Sequence, residues 1–331
     1  MPDAIDLFSG AGGLSLGLKD AGWNVNAAVE FDRNAIQTHE ANFSQVRHIG
    51  EDVRNLDFKQ FRDIDLVAGG PPCQPFSVSG KRLGNFDIRD MVPEFVRAVT
   101  EARPKAFMME NVAGLNALRF NCYLEARIFE LYQLGYVVFS RVLNAADFGV
   151  AQNRQRLFLV GIRGDVRGSA FEYPIPTHGE LGVLRHLTVR ESLAGVPQDT
   201  PNNAKVVFCK NPVLRKSPFA GMMFNGKGRP LNLDGLGHTI PATAGGNRTH
   251  ILDPLGVIQE YHAELLAGKR PRTGQLGEVR RLTVRESARI QSFPDSFLFT
   301  GRQSSRYSQV GNAVPPRLAA AVAKQVRHAL T

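Results

Sequence analysis

Cysteine is scarce in this 331-residue chain. Only Cys73, Cys122 and Cys209 occur, an odd number, far apart and without a Cys-x-x-Cys pair. That excludes a disulfide framework and a cysteine-based zinc site, so no metal is expected and a reducing, cytoplasmic setting is the default. Long apolar runs are also missing. No stretch approaches the ~18 residues of a membrane span, so no membrane association is expected. The start, Met1-Pro2-Asp3-Ala4-Ile5-Asp6, lacks the basic-then-apolar order of a secretory signal. Acid is outnumbered by base, 31 Asp and Glu against 40 Lys and Arg, for a formal net charge of +9. Such an excess favours a polyanionic partner without naming one. Apolar content is ordinary at 43%, with 21% charged residues, which supports a full core in one large domain or two smaller ones.

The first half alternates β-rich runs with helical stretches. Strands are expected at Ala4–Phe8, Val25–Glu30, Asp65–Gly69, Lys105–Glu110, Tyr136–Leu143 and Arg156–Ile162. Helices are expected at Leu14–Ala21, Arg33–Asn42, Asp90–Ala102 and Leu118–Leu134. This is the pattern of a doubly wound, mostly parallel α/β sheet. From Tyr173 to Arg280 the chain turns rich in Gly, Pro, Asn and Thr, which predicts a second, smaller, loop-rich domain. Leu187-Thr188-Val189-Arg190-Glu191-Ser192 recurs as Leu282-Thr283-Val284-Arg285-Glu286-Ser287. In each copy Thr-x-x-Glu reads as a capping box that opens a helix. A last helix over Pro316–Leu330 should return to pack on the first domain.

Several residues cluster where such sheets bind ligands. Asp6-Leu7-Phe8-Ser9-Gly10-Ala11-Gly12-Gly13-Leu14 follows the first strand, and its glycines would let the backbone approach a ligand. Ser15 stands where a full G-x-G-x-x-G would have its third glycine, so a tight structural turn explains the run equally well. Glu30 ends the second strand, twenty residues after Gly10, the spacing at which a carboxylate reaches ribose hydroxyls. It could equally be a solvated strand end. Asp52 falls where a third strand would end. An adenosine-containing cofactor is implied, nicotinamide dinucleotide and S-adenosylmethionine being equally compatible. The fourth strand runs into Gly69-Gly70-Pro71-Pro72-Cys73-Gln74-Pro75-Phe76-Ser77, where two prolines stiffen a polar turn ahead of the thiol. The next strand ends in Glu110-Asn111-Val112, and Gln152-Asn153-Arg154-Gln155-Arg156 enters another. A thiol, a carboxylate and a guanidinium in one crevice suit covalent attack on a polar heterocycle.

The motifs Asp6–Gly13, Pro71-Pro72-Cys73-Gln74, Glu110-Asn111-Val112, Gln152–Arg156, Arg281-Leu282-Thr283-Val284-Arg285-Glu286 and Gly311-Asn312-Ala313-Val314 follow one another as in the cytosine-C5 DNA methyltransferases, and the chain resembles that family from Asp6 to its last helix. The resemblance implies a Rossmann-like catalytic and S-adenosylmethionine-binding domain over 1–172, completed by 302–331. It makes 173–301 the target-recognition domain and hinge. It also implies transfer of a methyl group to C5 of a cytosine everted from duplex DNA. Cys73 would add to C6, Glu110 would bond N3 and the exocyclic amine, Arg156 would hold O2, and Arg154 would order the site. Phe8, Gly10, Gly12, Glu30, Phe31, Asp52, Val53, Gly70, Pro72, Asn312 and Ala313 would line the cofactor site. Ser77, Lys81 and Arg89 on a mobile loop, Thr239 near the flipped base, and Asn247 and Arg248 at base edges would contact DNA. Ala151 stands where the family commonly has proline, and Ala313 where it commonly has serine, which puts one cofactor hydrogen bond in question.

The resemblance further implies a restriction-modification setting with a monomeric enzyme and room for a partner nuclease. Because the chain begins almost at its first motif, a compact prokaryotic-type enzyme without an N-terminal regulatory module is expected. Three other readings remain open. A transfer-RNA cytosine methyltransferase would keep the chemistry. An inactive methyltransferase-like DNA-binding protein would not need intact Cys73, Glu110 and Arg156. A nicotinamide-dependent oxidoreductase would leave Pro72-Cys73-Gln74 unexplained.

Overall fold

The computed structural model describes residues 1–72, 90–168 and 170–331. Cys73, Ser77, Lys81 and Arg89 therefore lie outside the described residues. Seven strands form one sheet in the order β3-β2-β1-β4-β5-β7-β6. They are β1 Asp3–Leu7, β2 Asn24–Val29, β3 Arg47–Ile49, β4 Leu66–Gly69, β5 Ala106–Val112, β6 Tyr136–Asn144 and β7 Gln155–Arg163. The first five run parallel. β7 runs antiparallel between β5 and β6. The sheet is thus the mostly parallel, doubly wound one expected, with one reversed strand. β3, three residues long, is too short to leave a periodic signature and was expected only as a position.

Alternation along the strands divides the core into two layers. Ile5, Leu7, Val67, Phe107 and Met109 pack on one face, under α3 (Val92–Ala102) and α4 (Asn121–Gln133). Ala4, Leu66, Ala68, Ala106, Met108, Phe158 and Val160 pack on the other, under α1 (Gly13–Asp20) and the last helix, α9 (Pro316–Ala329). Burial on both faces explains why the central strands are nearly continuous apolar runs. α9 closes the catalytic layer as expected, and the Trp23 indole N–H donates to the Ala323 carbonyl at 3.0 Å. α2 (Arg33–Asn42) follows β2 and is capped by Asp32, whose carboxylate accepts from the Ala35 amide.

Between residues 173 and 301 regular structure is sparse. β8 (Phe208–Val213) pairs with β9 (Met222–Phe224), and β10 (Ile251–Leu252) with β11 (Arg280–Arg281). α5 (Val189–Leu193), α6 (Val257–Leu266) and α7 (Val284–Ile290) are short. Both capping boxes form, at Thr188 and at Thr283. α8 (Gln303–Asn312) leads back to α9. Among the described residues no helix is long and apolar enough to cross a membrane.

Candidate active site

Glu110 continues the register of Ala106 and Met108, so its side chain leaves β5 on the α9 face of the sheet. Antiparallel pairing sets Glu110 opposite Phe158 and Val112 opposite Arg156, which puts Arg156 diagonal to Glu110 on that face. The Arg156 Nε donates to Glu110 Oε1 at 2.8 Å, and both side chains are almost buried. Burial pushes the Glu110 carboxyl up from its ordinary value, while Arg156 and then Arg154 pull it back. Burial also lowers Arg156, and Glu110 opposes that. The guanidinium nevertheless remains charged at any working pH. A buried ion pair is weak evidence of stabilisation, since desolvation consumes most of the attraction. Its value here is a fixed, proton-accepting carboxylate at the C-terminal end of the sheet.

The polypeptide leading to Cys73 lies against this pair. A side chain at Gly70 would come within 3.3 Å of Glu110 Oε2, so glycine there leaves the carboxylate room. The Asn111 amide donates to the Pro71 carbonyl at 3.1 Å. The Met91 amide donates to the Pro72 carbonyl at 3.0 Å. Glu110, Arg156, Gly70 and Pro72 are therefore brought together. Arg154 is not at the opening: it is 2% exposed. Its Nη1 donates to the Ile240 carbonyl at 3.0 Å, and its Nη2 to those of Gly311 and Ala313 at 2.9 and 3.1 Å. These bonds tie its segment to Ile240 and to residues 311–313.

The glycine-rich turn opens beside the same strand ends. Phe8, at φ 57, and Gly10, at φ 53, turn the chain sharply after β1, and Gly12 takes φ 94. Gly12 has a further reason: a Cβ there would meet the Phe43 ring at 2.5 Å. Gly10 instead faces open space, with nothing within 4 Å of a notional Cβ. Glu30 ties the turn to β2. Its Oε2 accepts from the Gly10 amide at 2.9 Å, and its Oε1 from the Phe31 and Asp32 amides at 2.8 and 2.9 Å. The Ser9 hydroxyl is buried without a partner, and the Phe31 ring is 69% exposed beside the turn. Asp52 is committed locally. Both its oxygens bond Arg54, which holds the carboxyl down at about 2. Val53 is buried, Asn312 ends α8 exposed, and Ala313 is 9% exposed.

In the loop-rich part, Thr239 is exposed, and its hydroxyl donates to the Asn153 carbonyl at 2.7 Å. His250 receives the Arg229 amide on Nδ1 and faces the Thr239 carbonyl with Nε2 at 3.2 Å. Those partners fix a neutral Nε2–H ring, and burial pushes His250 down to about 4. Asn247 and Arg248 stand exposed on the turn Gly246–Arg248. Arg281, 1% exposed, braces that turn through the carbonyls of Thr249 and Asn225. Asn111, Gln152, His250, Arg281 and Gln291 were missed as site residues. Asn111, Gln152 and Arg281 lay inside quoted motifs, but nothing local marked them as cross-links.

The carboxyl ends of β1, β2, β4 and β5 thus bring the glycine turn, Glu30, Gly70 and Glu110 to one edge of a doubly wound, Rossmann-like sheet. Solved structures share the whole fold. One is a prophage-encoded DNA modification methyltransferase from E. coli, with TM-score 0.70, 24% identity and coverage of 100% of this chain and 99% of that one. A Spodoptera frugiperda DNMT2 variant gives TM-score 0.74 at 18% identity, covering 99% and 100%.

Residues 3–328 match the C-5 cytosine-specific DNA methylase family, and the chain belongs to it. Similar proteins include the Type II methyltransferase M.FnuDI of Fusobacterium nucleatum, 34% identical over 99% of this chain and 94% of that protein. Another is Type II methyltransferase M1.HphI of Haemophilus parahaemolyticus, 36% identical over 97% and 86%. The activity is methylation of cytosine C5 in DNA, with S-adenosylmethionine as methyl donor. The open face at Gly10, the unpartnered Ser9 hydroxyl and the uncovered Phe31 ring fit an adenosine-bearing cofactor.

Proposed function

We propose that this enzyme methylates cytosine in a specific duplex DNA sequence through a transient bond from Cys73 to C6. Cytosine C5 is a poor nucleophile. Addition of the Cys73 thiolate to C6 moves electron density to C5, which can then take the methyl group. Loss of the C5 proton afterwards returns the electron pair to the ring and expels the thiolate. The base must first leave the helix stack, at a cost of a few kcal/mol.

Glu110 carries a proton to N3 and bonds the exocyclic amine. Its raised proton affinity suits that duty, because a carboxyl ionised too readily could not donate. Arg156 holds Glu110 in place and offers its remaining N–H groups to O2. When bound, the cofactor supplies an electrophilic methyl group on a cationic sulfur. Phe8, Gly10, Gly12, Glu30, Phe31, Val53, Gly70, Pro72, Asn312 and Ala313 would hold it. Glu30 Oε2, which accepts only the Gly10 amide, keeps a lone pair free for a ribose hydroxyl. Asp52, held on both oxygens by Arg54, would act by shaping the turn.

Residues 1–172 with 302–331 serve as the catalytic domain and 173–301 as target-recognition domain and hinge. Thr239 meets the DNA backbone beside the everted base, Asn247 and Arg248 meet base edges, and Ser77, Lys81 and Arg89 grip phosphates. The enzyme works as a cytoplasmic monomer in a restriction-modification setting with room for a partner nuclease.

The observation that carries this reading is the buried Glu110–Arg156 pair beside Gly70, three residues ahead of Cys73. Bisulfite sequencing of DNA from cells expressing the protein identifies the target. Duplex carrying 5-fluorocytosine at that target should then give a denaturation-resistant complex with enzyme and cofactor. Cys73→Ser, folded, should give none; an undiminished complex removes Cys73 from the nucleophile's role. Methyl incorporation into transfer RNA alone would overturn the DNA reading.

A further inference from the structure

Two buried glutamines link the segment at Ile240 to residues 310–313. Gln152 and Gln291 are both 0% exposed. The Ile240 amide donates to Gln152 Oε1 at 2.9 Å. Gln152 Nε2 donates to Gln291 Oε1 at 2.9 Å. Gln291 Nε2 donates to the carbonyls of Val310 and Ala313 at 2.8 and 3.3 Å. The direction of this row is forced. A backbone amide can only donate and backbone carbonyls only accept, so neither side-chain amide can flip without setting like against like.

A second bridge runs beside it. Arg154 reaches Ile240, Gly311 and Ala313 through their carbonyls. Both peptide groups of Ile240 are thus held by side chains from one short segment, and the same side chains, with Gln291, hold residues 310–313. Packing adds to this, since a Cβ at Gly311 would meet the Pro241 carbonyl at 2.1 Å. The segment between the bridges leads directly into Arg156, and the Thr239 hydroxyl bonds its Asn153 carbonyl.

We propose that Gln291, acting through Gln152, is a positioning residue that transmits occupancy of the cofactor segment at 310–313 to the DNA-facing segment at 237–241. This deepens the reading above, because it rests on Thr239 facing DNA and on Asn312 and Ala313 facing the cofactor. A row of fixed polarity whose members bond directly passes on a shift at one end. Unpaired, each of its groups would be buried without a partner, which is unfavourable. The row is therefore kept intact through small movements.

The test uses the full chain and S-adenosylmethionine alone, with deuterium exchange over 237–244 as the first readout. Adding cofactor to the wild type should raise protection there, although those residues lie across the row from the cofactor segment. Gln291→Met, close in volume but without donors, should still bind cofactor within about threefold yet lose the gain in protection. Its turnover on unmethylated plasmid DNA should drop by about 10²-fold, the usual penalty of a small misplacement. Gln152→Met should match it. If Gln291→Met fails to fold, Gln152→Met, which removes the neighbouring link of the row, carries the same test. A folded variant that retains both the protection gain and the turnover overturns the proposal, as does a wild type with no gain. Formation of the 5-fluorocytosine complex by the variants keeps the Cys73 mechanism separate from this outcome.

Discussion

Buried titratable residues beneath the glycine turn make opposing demands on folding. Asp6 is fully buried on β1. Its Oδ2 accepts the Ser15 hydroxyl at 2.6 Å, and its Oδ1 has no partner. Ser15 is 2.9 Å from His39 Nε2, and His39 Nδ1 is 2.8 Å from His48 Nε2. Burial pushes Asp6 up from 3.8 to about 7, with Ser15 pulling down and Glu30 adding to the rise. Burial pushes His39 down from 6.5 to about 3, helped by His48. The Asp6 contribution to stability is full below pH 3.8 and lost as pH rises to about 7. The His39 contribution is full above pH 6.5 and lost as pH falls toward 3. Between about pH 4 and 6.5 folding therefore moves one proton off His39 and one onto Asp6, and the two slopes cancel. Relative to the wild type, Asp6→Asn should make the slope of stability against pH more positive across that window by about 1.4 kcal/mol per unit, and His39→Gln should make it more negative by the same amount. Urea midpoints at pH 4.5 and 6.5 decide this; the wild-type slope in both variants would contradict it. No periodicity marks Asp6 or His39 as partners, because they meet only once β1, α1 and α2 are packed.

Local elements were the most legible feature of the sequence. α2 spans Arg33–Asn42 as expected, and the six anticipated strands appear with their ends moved by one or two residues. The exception was the long helix expected over Leu118–Leu134. It begins as a 3-10 turn at Leu118–Phe120 before α4. The repeated capping boxes were legible because a cap is a local hydrogen bond. The Thr283 hydroxyl accepts from the Glu286 amide at 3.1 Å, and the Thr283 amide donates to the Glu286 carboxylate at 2.8 Å. Glu286 is 5% exposed and also pairs with Arg280. Thr283→Ala should cost about 1 kcal/mol in denaturant unfolding. Thr188→Ala, at a more exposed box on a five-residue helix, should cost less. The reverse order would mean that caps here act through tertiary contacts rather than locally.

Across the whole molecule, the two ends of the chain close on each other. Gly17 on α1 faces α9 so closely that a Cβ would lie 2.4 Å from the Ala319 Cβ and 2.8 Å from the Ala320 nitrogen. Leu14, Leu18, Leu318, Val322 and Val326 complete that seam. Gly17→Val should therefore lower stability by about 1–3 kcal/mol, the usual cost of overpacking, seen as an earlier urea midpoint. Ala319→Gly in the same chain should recover part of the loss. No recovery would show that the strain lies elsewhere. This closure carries residues 310–313 back to the sheet, beside the motif that enters β7.

Sequence alone determined the α/β alternation, the glycine turn, the two caps, and the order of motifs that marks the family. Each depends on residues near one another along the chain, where hydrogen bonds and side-chain periodicity act at short range. Tertiary structure decided the reversed direction of β7, the Glu110–Arg156 contact, the withdrawal of Arg154 from the crevice and the Gln152–Gln291 row. Those depend on which distant backbone groups become neighbours once water is excluded. A buried polar side chain must satisfy whatever faces it there, and its own sequence neighbours do not say what that will be.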